Sequence, residues 1–214
     1  MLYHSNFKDI NDKNYKVRIT TNGDASKSKE IVLGTPAFVT EVETGDSNLY
    51  KPVKGQTATV KLVTNDYLFD LYSSAAQQNK VELLDNNNKL IWGGYITPNL
   101  YQQGYENEVE EIEVEATDAI SSLQYMPYTP VGSKKDIVSF WAILNHIIKK
   151  CGIYKTFYFS NAMREYKSST TPLINISRIS EQNFFDEDDE AMMMRDVLKE
   201  ICKYFSVTCI AVGD

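Results

Sequence analysis

Residues 15–21, YKVRITT, alternate strictly. Tyr15, Val17 and Ile19 fall on one side, and Lys16, Arg18 and Thr20 on the other. Successive side chains of a strand leave on opposite faces, so this pattern predicts a strand with one face buried and one in water. The polar stretch 22–29, NGDASKSK, predicts a hairpin loop after it. Strand candidates follow at 30–33 and 36–43, the second opened by Pro36. After a loop over 44–56, residues 57–63, TATVKLV, alternate again, with Ala58, Val60 and Leu62 on one face. Residues 66–76 read as a short helix or turn. Strands over 79–84 and 89–96 flank Asp85-Asn86-Asn87-Asn88, a strong hairpin signal. A last strand, 107–117, loses its alternation at Glu110-Glu111, where a β-bulge would restore the phase.

Short strands at regular spacing, separated by turn signals, predict a sandwich or barrel, and a barrel-like sheet is the favoured form. The second half has a different period. Ile137, Phe140, Leu144, Ile147, Ile148 and Cys151 form one apolar stripe at helical spacing, which predicts a helix over 136–151. Asp136 or Ser133 is expected to cap its start, with Lys149 and Lys150 at its end and Gly152 just beyond. Residues 153–159 and 172–177 read as strands. A second helix is expected over 190–205, with Val197, Leu198, Ile201, Cys202 and Phe205 on its apolar face, and a buried strand over 207–212. The fold class is therefore α+β, mainly β: an antiparallel barrel- or sandwich-like domain over 1–127, then a smaller α+β domain over 128–214. Pro, Gly and Ser cluster near the expected boundary, in MPYTPVGSKKD. A chain that stops on an apolar strand is expected to be part of a longer protein.

The chain has 214 residues, 43% hydrophobic and 24% charged, within the range of folded soluble domains. Its net charge of -7 argues against binding nucleic acid by counterion release. Residues 1–125 hold 18 acidic and 11 basic residues, and residues 126–214 hold 11 of each, so the first half carries the excess. No apolar run is long enough to span a bilayer as a helix, so no membrane insertion is expected. The N-terminal stretch lacks the apolar segment of a signal peptide. Cys151, Cys202 and Cys209 form no CxxC pair and read as thiols of a protein made in a reducing cytoplasm.

Chemistry-bearing patterns are sparse. His4 falls in a terminus expected to fray, and His146 reads as an ordinary helix-boundary histidine rather than a base or metal ligand. The run Asp186 to Glu190 lacks the ligand spacing of a calcium loop and reads as a solvated helix start. Glu111, Glu113 and Glu115 share one strand face, with Ile112 and Val114 on the other. That row reads as a solvent face, or as a wall facing a neighbouring subunit or a channel. Gly93-Gly94 reads as a bend or bulge, with Trp92 and Tyr95 beside it as core and rim. Tyr101, Tyr105, Tyr125 and Tyr128 are candidates for an interface patch, or for covering one end of a barrel. No residue is assigned a catalytic, cofactor-binding or metal-binding role.

Three stretches carry a family resemblance: NLYKPVKGQTATVKLV (48–63), LIWGGYITP (90–98) and EVEATDAISSL (113–123). With MRDVLKEICKYFSVTCIAVG (194–213), their order resembles the N-terminal part of tail-hub or baseplate proteins from long-tailed phages and prophages of Bacteroidetes. One departure is Ala119, where that family carries Gly after its "TD". The resemblance implies a structural protein and not an enzyme: a homo-oligomeric ring joining the tail tube to tip or fibre proteins. It implies other tail or baseplate proteins as partners, DNA only in passage through a lumen, and no cofactor. The implied location is the virion tail, after synthesis in the host bacterial cytoplasm. A second class, a carbohydrate- or peptide-binding β module using Trp92, Trp141 and tyrosines as stacking platforms, stays open. A hydrolase would need a pocket with two carboxylates of displaced pKa.

Overall fold

The structure is a computed structural model, and it describes all residues except 25, 44–49, 73, 99–108, 133, 155, 160–171 and 214. The chain divides into two compact units. The first comprises Met1–Asn48, Lys54–Ser122 and Ile210–Asp214, and the second Leu49–Val53 and Leu123–Cys209. Composition places a single passage near residue 127, whereas the chain passes between the units near residues 48, 53, 122 and 209. The architecture is α+β and mainly β, as the two periodicities predict.

The first unit is built on β1 (Leu2–Lys8), β2 (Asn14–Thr20), β3 (Ser28–Glu30) and β4 (Val32–Val42). The two-residue β5 (Val53–Lys54) spans a unit boundary, and β6 (Gln56–Thr64), β7 (Lys80–Asp85), β8 (Leu90–Ile96) and β9 (Glu110–Asp118) complete the set. The strand order is β3-β1-β2-β7-β8-β9-β6-β4. All pairs are antiparallel except β1 with β3. Only Ile31 separates β3 from β4, and its N–H donates to His4 O at 3.0 Å. The two ends of the strand order are thus one stretch of chain, and the sheet closes on itself as a barrel. The closing contact is short, Leu2–His4 of β1 against Ser28–Glu30 of β3, and it shortens the free edge that an open antiparallel sheet would expose.

Alternation decides which side faces in. Val17 and Ile19 of β2 are buried, opposite Ser5 and Tyr3 of β1. Val60 and Leu62 of β6 meet Val114 and Ile112 of β9. All of these but Ser5 join Val81 and Trp92 in one core cluster. Each fully buried aliphatic side chain contributes about 2 kcal/mol.

A 3-10 turn at Phe69–Leu71, in the stretch expected to be a short helix or turn, closes the barrel. It delivers Leu68 and Leu71 to the core. Asn79 Nδ2 donates to Asp70 O at 3.0 Å and to Leu71 O at 2.8 Å. Tyr3 Oη and Thr21 Oγ1 donate to the Asp70 carboxylate. Burial, and then the hydrogen bond to Asp70, push the Tyr3 phenol above its ordinary value.

Three local expectations change in this unit. The terminus holding His4 is not frayed: it forms β1, paired along its whole length with β2. Its pattern is hard to see because the inward residues are Tyr3 and Ser5. No bulge occurs at Glu110-Glu111, where β9 simply starts, in unbroken register with β6. The irregularities lie between Leu33 and Phe38 of β4, a stretch with a cis Thr35-Pro36 bond, and at Ile91, opposite Leu83 and Leu84. The Asp85–Asn88 hairpin forms as predicted. Asp85 Oδ1 accepts from Asn87 N at 2.7 Å and Lys89 N at 2.8 Å, and Asn88 takes φ 58°.

The second unit holds β10 (Ile137–Ser139), α1 (Phe140–Lys150), α2 (Leu173–Ile176), β11 (Arg178–Ser180) and α3 (Met194–Tyr204). The short β12 (Cys209–Ile210) spans its last boundary. The predicted helix over 136–151 starts four residues late. Residues 137–139 pair with β11 instead, leaving Ile137 exposed. The cap is Ser139, whose side chain accepts from Ala142 N at 3.2 Å, and not Asp136; Ser133 lies outside the described residues. Ile143, Leu144, Ile147 and Ile148 are buried, and Gly152 takes φ 70° just past the end.

Residues 173–176 form a helical turn rather than a strand, and the described residues of 153–159 are not strand. The second helix starts at Met194, not at Glu190. The predicted buried strand over 207–212 shrinks to β12, with Ile210 and Val212 exposed.

Candidate functional site

The parts of the three resemblance stretches that form β6, β8 and β9 adjoin in space. β6, β9 and β8 are neighbours in the sheet. Their meeting point is built from Gly93, Gly94 and Asp118. Gly94 lies opposite Asp118, and Ala119 N donates to Gly93 O at 3.2 Å. A Cβ on Gly94 would fall 2.1 Å from Thr117 O and 2.4 Å from the Trp92 ring, so β8 can approach β9 this closely only with glycine there.

Asp118 is fully buried. One oxygen accepts from Gln56 N at 2.7 Å, and the other from Ser121 N, which starts a 3-10 turn at Ser121–Tyr125. The carboxylate ties β6 to the end of β9. The turn forms with Ala119 in place of glycine, because Ala119 needs no positive φ. An Asp three residues before the first N–H of a turn is a capping signal that the sequence alone displays.

On the outer face of β9, Glu111, Glu113 and Glu115 are exposed, while Ile112, Val114 and Ala116 face the core, as period 2 predicts. The row is partly neutralised. Lys61 of β6 places its Nζ 2.8 Å from Glu113 Oε1 and 3.1 Å from Glu111 Oε1. Those hydrogen bonds, led by Glu113, raise the lysine above its ordinary pKa. The barrel interior is a packed core, so any channel that these carboxylates faced would lie outside the barrel wall.

A second polar group on the wall is more buried. Arg18 Nη2 is 2.6 Å from Glu82 Oε2, and Lys80 Nζ is 2.7 Å from Glu82 Oε1. Exposed apolar side chains gather near the end closed by the 3-10 turn: Val32, Tyr67 and Phe69, at 64%, 58% and 68% exposure. Val32 is opposite Val63 at the end of β6, and Lys29 is ion-paired with Asp66, so residues 29–32 and 63–69 border one rim.

In the second unit, Glu181 is completely buried. Its Oε1 accepts from Tyr128 Oη at 2.6 Å and from Val131 N at 2.7 Å. Its Oε2 has no hydrogen-bond partner among the described residues. Burial, and then the Glu181 bond, push the Tyr128 phenol far up. Tyr128 also packs edge-on against Phe184 at 5.1 Å and His146 at 6.1 Å. His146 is half-buried, with Nε2 3.0 Å from Thr129 Oγ1. Burial, and then Lys150, hold its pKa below the ordinary histidine value. Nothing in the sequence marked Glu181, because its role depends on residues fifty or more positions away.

Other candidates resolve differently. The acidic run is a tight loop and not a helix start. Asp186 Oδ1 accepts from Asp188 N at 3.0 Å and Glu190 N at 2.8 Å, and Asp189 takes φ 67°. Lys135 pairs with Asp189 and lies 3.7 Å above the Phe185 ring. Among the described residues no group of three His, Cys, Asp or Glu is placed to hold a metal ion.

Trp92 and Tyr95 are both core residues, and Trp92 meets the Phe38 edge at 5.7 Å. Trp141 is partly exposed and packs on Phe157 at 4.6 Å. Tyr128 is core in the second unit, so it belongs to no surface patch; Tyr125 is exposed, and Tyr101 and Tyr105 lie outside the described residues. No helix is long and apolar enough to cross a membrane among the described residues. Comparison of the chain with protein-family models, with curated proteins and with solved structures gives no match.

Proposed function

We propose that this chain is a structural component of a phage-type tail tip, a tail-hub or baseplate protein that assembles into a ring. The observation that carries the reading is convergence. The barrel stretches that resemble that family, far apart in sequence, adjoin as β6, β9 and β8 and are tied together through Asp118 and the Gly93-Gly94 approach. A closed barrel is a rigid block suited to repetition in a ring. The exposed rim of Val32, Tyr67 and Phe69 is the contact face between copies, an apolar patch of the kind that marks interfaces. Other tail or baseplate proteins bind the assembled ring. DNA passes through the ring's centre, past carboxylates that do not hold phosphate. The role is mechanical, in a virion tail whose subunits are made in the host bacterial cytoplasm.

Electron microscopy of the purified protein at about 10 µM tests this, since interfaces of standard size hold at micromolar concentrations or below. Symmetric rings with an open centre are expected. Phe69→Glu is expected to abolish them while leaving the circular dichroism spectrum unchanged. Monomers at that concentration would overturn ring formation by the chain alone. A glycan-binding screen with Trp141→Ala would then test the binding-module reading.

A further inference from the structure

The turn after α3 folds the chain back on the helix it has just left. Ser206 N donates to Lys203 O at 3.1 Å and Val207 N to Cys202 O at 2.9 Å, with Ser206 at φ 52°. This is the Schellman arrangement at a helix C-terminus. The Tyr50 hydroxyl fastens the turn from outside, 2.9 Å from Cys202 O and 3.0 Å from Val207 O. Cys209 is then fixed by its N–H to Pro52 O at 2.8 Å. The result places two cysteines side by side: the Cys209 thiol donates to the Cys202 sulfur, and the Cys209 N–H also approaches that sulfur. Cys202 is buried and Cys209 is half-buried, so Cys209 is the less enclosed residue of the pair. Cys151, the third cysteine, is buried at the end of α1.

We propose that Cys202 and Cys209 are a redox pair that closes reversibly to a disulfide when the surroundings turn oxidising. The oxidant is a low-molecular-weight disulfide. The Cys209 thiolate attacks one of its sulfurs, forming a mixed disulfide and releasing the first small thiolate. The Cys202 thiolate then attacks Cys209 Sγ and expels the second. Two protein thiols lose two protons and two electrons, and the small disulfide becomes two thiols. In the reduced pair the hydrogen bond from the Cys209 thiol, ahead of burial, holds the Cys202 thiol below its ordinary pKa; once Cys209 has reacted, its backbone N–H is the donor that still favours the Cys202 thiolate. The disulfide staples the end of α3 to the chain that returns past it. This inference stands independently of the assembly reading.

The test uses the full chain, reduced and then exposed to oxidised glutathione while folded. Thiols titrated after denaturation should fall from three to one. Trypsin cuts after Lys203, so the Cys202 and Cys209 peptides should appear joined by a disulfide, with Cys151 unmodified. Dithiothreitol should restore all three thiols. Cys202→Ser should trap glutathione on Cys209, because the resolving sulfur is gone, and Cys209→Ser should leave Cys202 a thiol. Three persistent thiols in the native sequence, glutathione retained on Cys209 there, or a bridge to Cys151 would each overturn the proposal.

Discussion

In the barrel, β9 is held on both sides, by β6 from Thr57 to Thr64 and by β8 from Gly94 to Ile96. In the second unit, the β10–β11 ribbon pairs three residues a side, and the connecting segments hang on single side chains. Glu181 holds Val131 N and Tyr128 Oη, Ser139 caps α1, and Asp186 closes its own loop. The barrel spreads its order over many equivalent backbone bonds. The second unit concentrates it in a few polar atoms. A barrel of this kind should therefore tolerate changes that spare its close approaches, whereas the second unit should fail at particular residues.

Each unit carries its own reporter, Trp92 in the barrel and Trp141 in the other. Trp141→Phe and Trp92→Phe backgrounds would let urea unfolding be followed separately. The largest effect is expected at Gly94→Ala. Its new Cβ meets backbone, which cannot give way, so the Trp92 transition should lose about 4 kcal/mol. A loss below about 1 kcal/mol there would mean that β8 and β9 shift apart easily, and the contrast would fail.

Next comes Glu181→Ala, which leaves the buried Tyr128 hydroxyl without its acceptor and frees the Val131 N–H. The Trp141 transition should lose about 3 kcal/mol, with the Trp92 midpoint unmoved. A shared shift of both reporters would show that the units unfold as one. A smaller, opposite effect is expected at Ser206→Gly. The φ of 52° costs a residue with a Cβ about 1 kcal/mol, so glycine should stabilise α3's end by about that amount. That gain should be read by Trp141 alone.

The smallest effect is the pH response of His146. Its folded pKa is lowered by burial, so the unfolded chain binds the proton more readily. Stability of the second unit should be unaffected above the ordinary histidine pKa of about 6.5. It should fall as pH drops below that value, and level off once the folded pKa is passed. His146→Gln should flatten this segment of the stability–pH curve for Trp141.

Much of the barrel was legible in the sequence. YKVRITT, TATVKLV and the glutamate-spaced β9 show their inward faces by alternation, and Asp85–Asn88 shows its hairpin by composition. β1 was not legible, because Tyr3 and Ser5 point inward and Tyr3 needs Asp70, 67 residues away, to satisfy its hydroxyl. Helix stripes in the second unit were readable, but their starts were not. Ile137 fits the stripe of α1 in sequence and yet pairs with Ser180 in space. The acidic run looked like a helix start because it precedes α3, but Asp186 captures the N–H groups that follow it and turns the chain first.

By itself the sequence determined the periods: two in the first half and helical stripes in the second, and with them the mainly β class and the outward row of glutamates. These follow from how side chains leave a backbone and require no knowledge of the neighbours. Only the tertiary structure decided that Ser28–Val42 closes the sheet, that Gly94 sits against Thr117 O, that Glu181 becomes the buried acceptor for Tyr128, and that Cys209 returns to Cys202. Each of these is a meeting of residues distant along the chain or brought round by a turn, and its energy exists only once both partners have been placed.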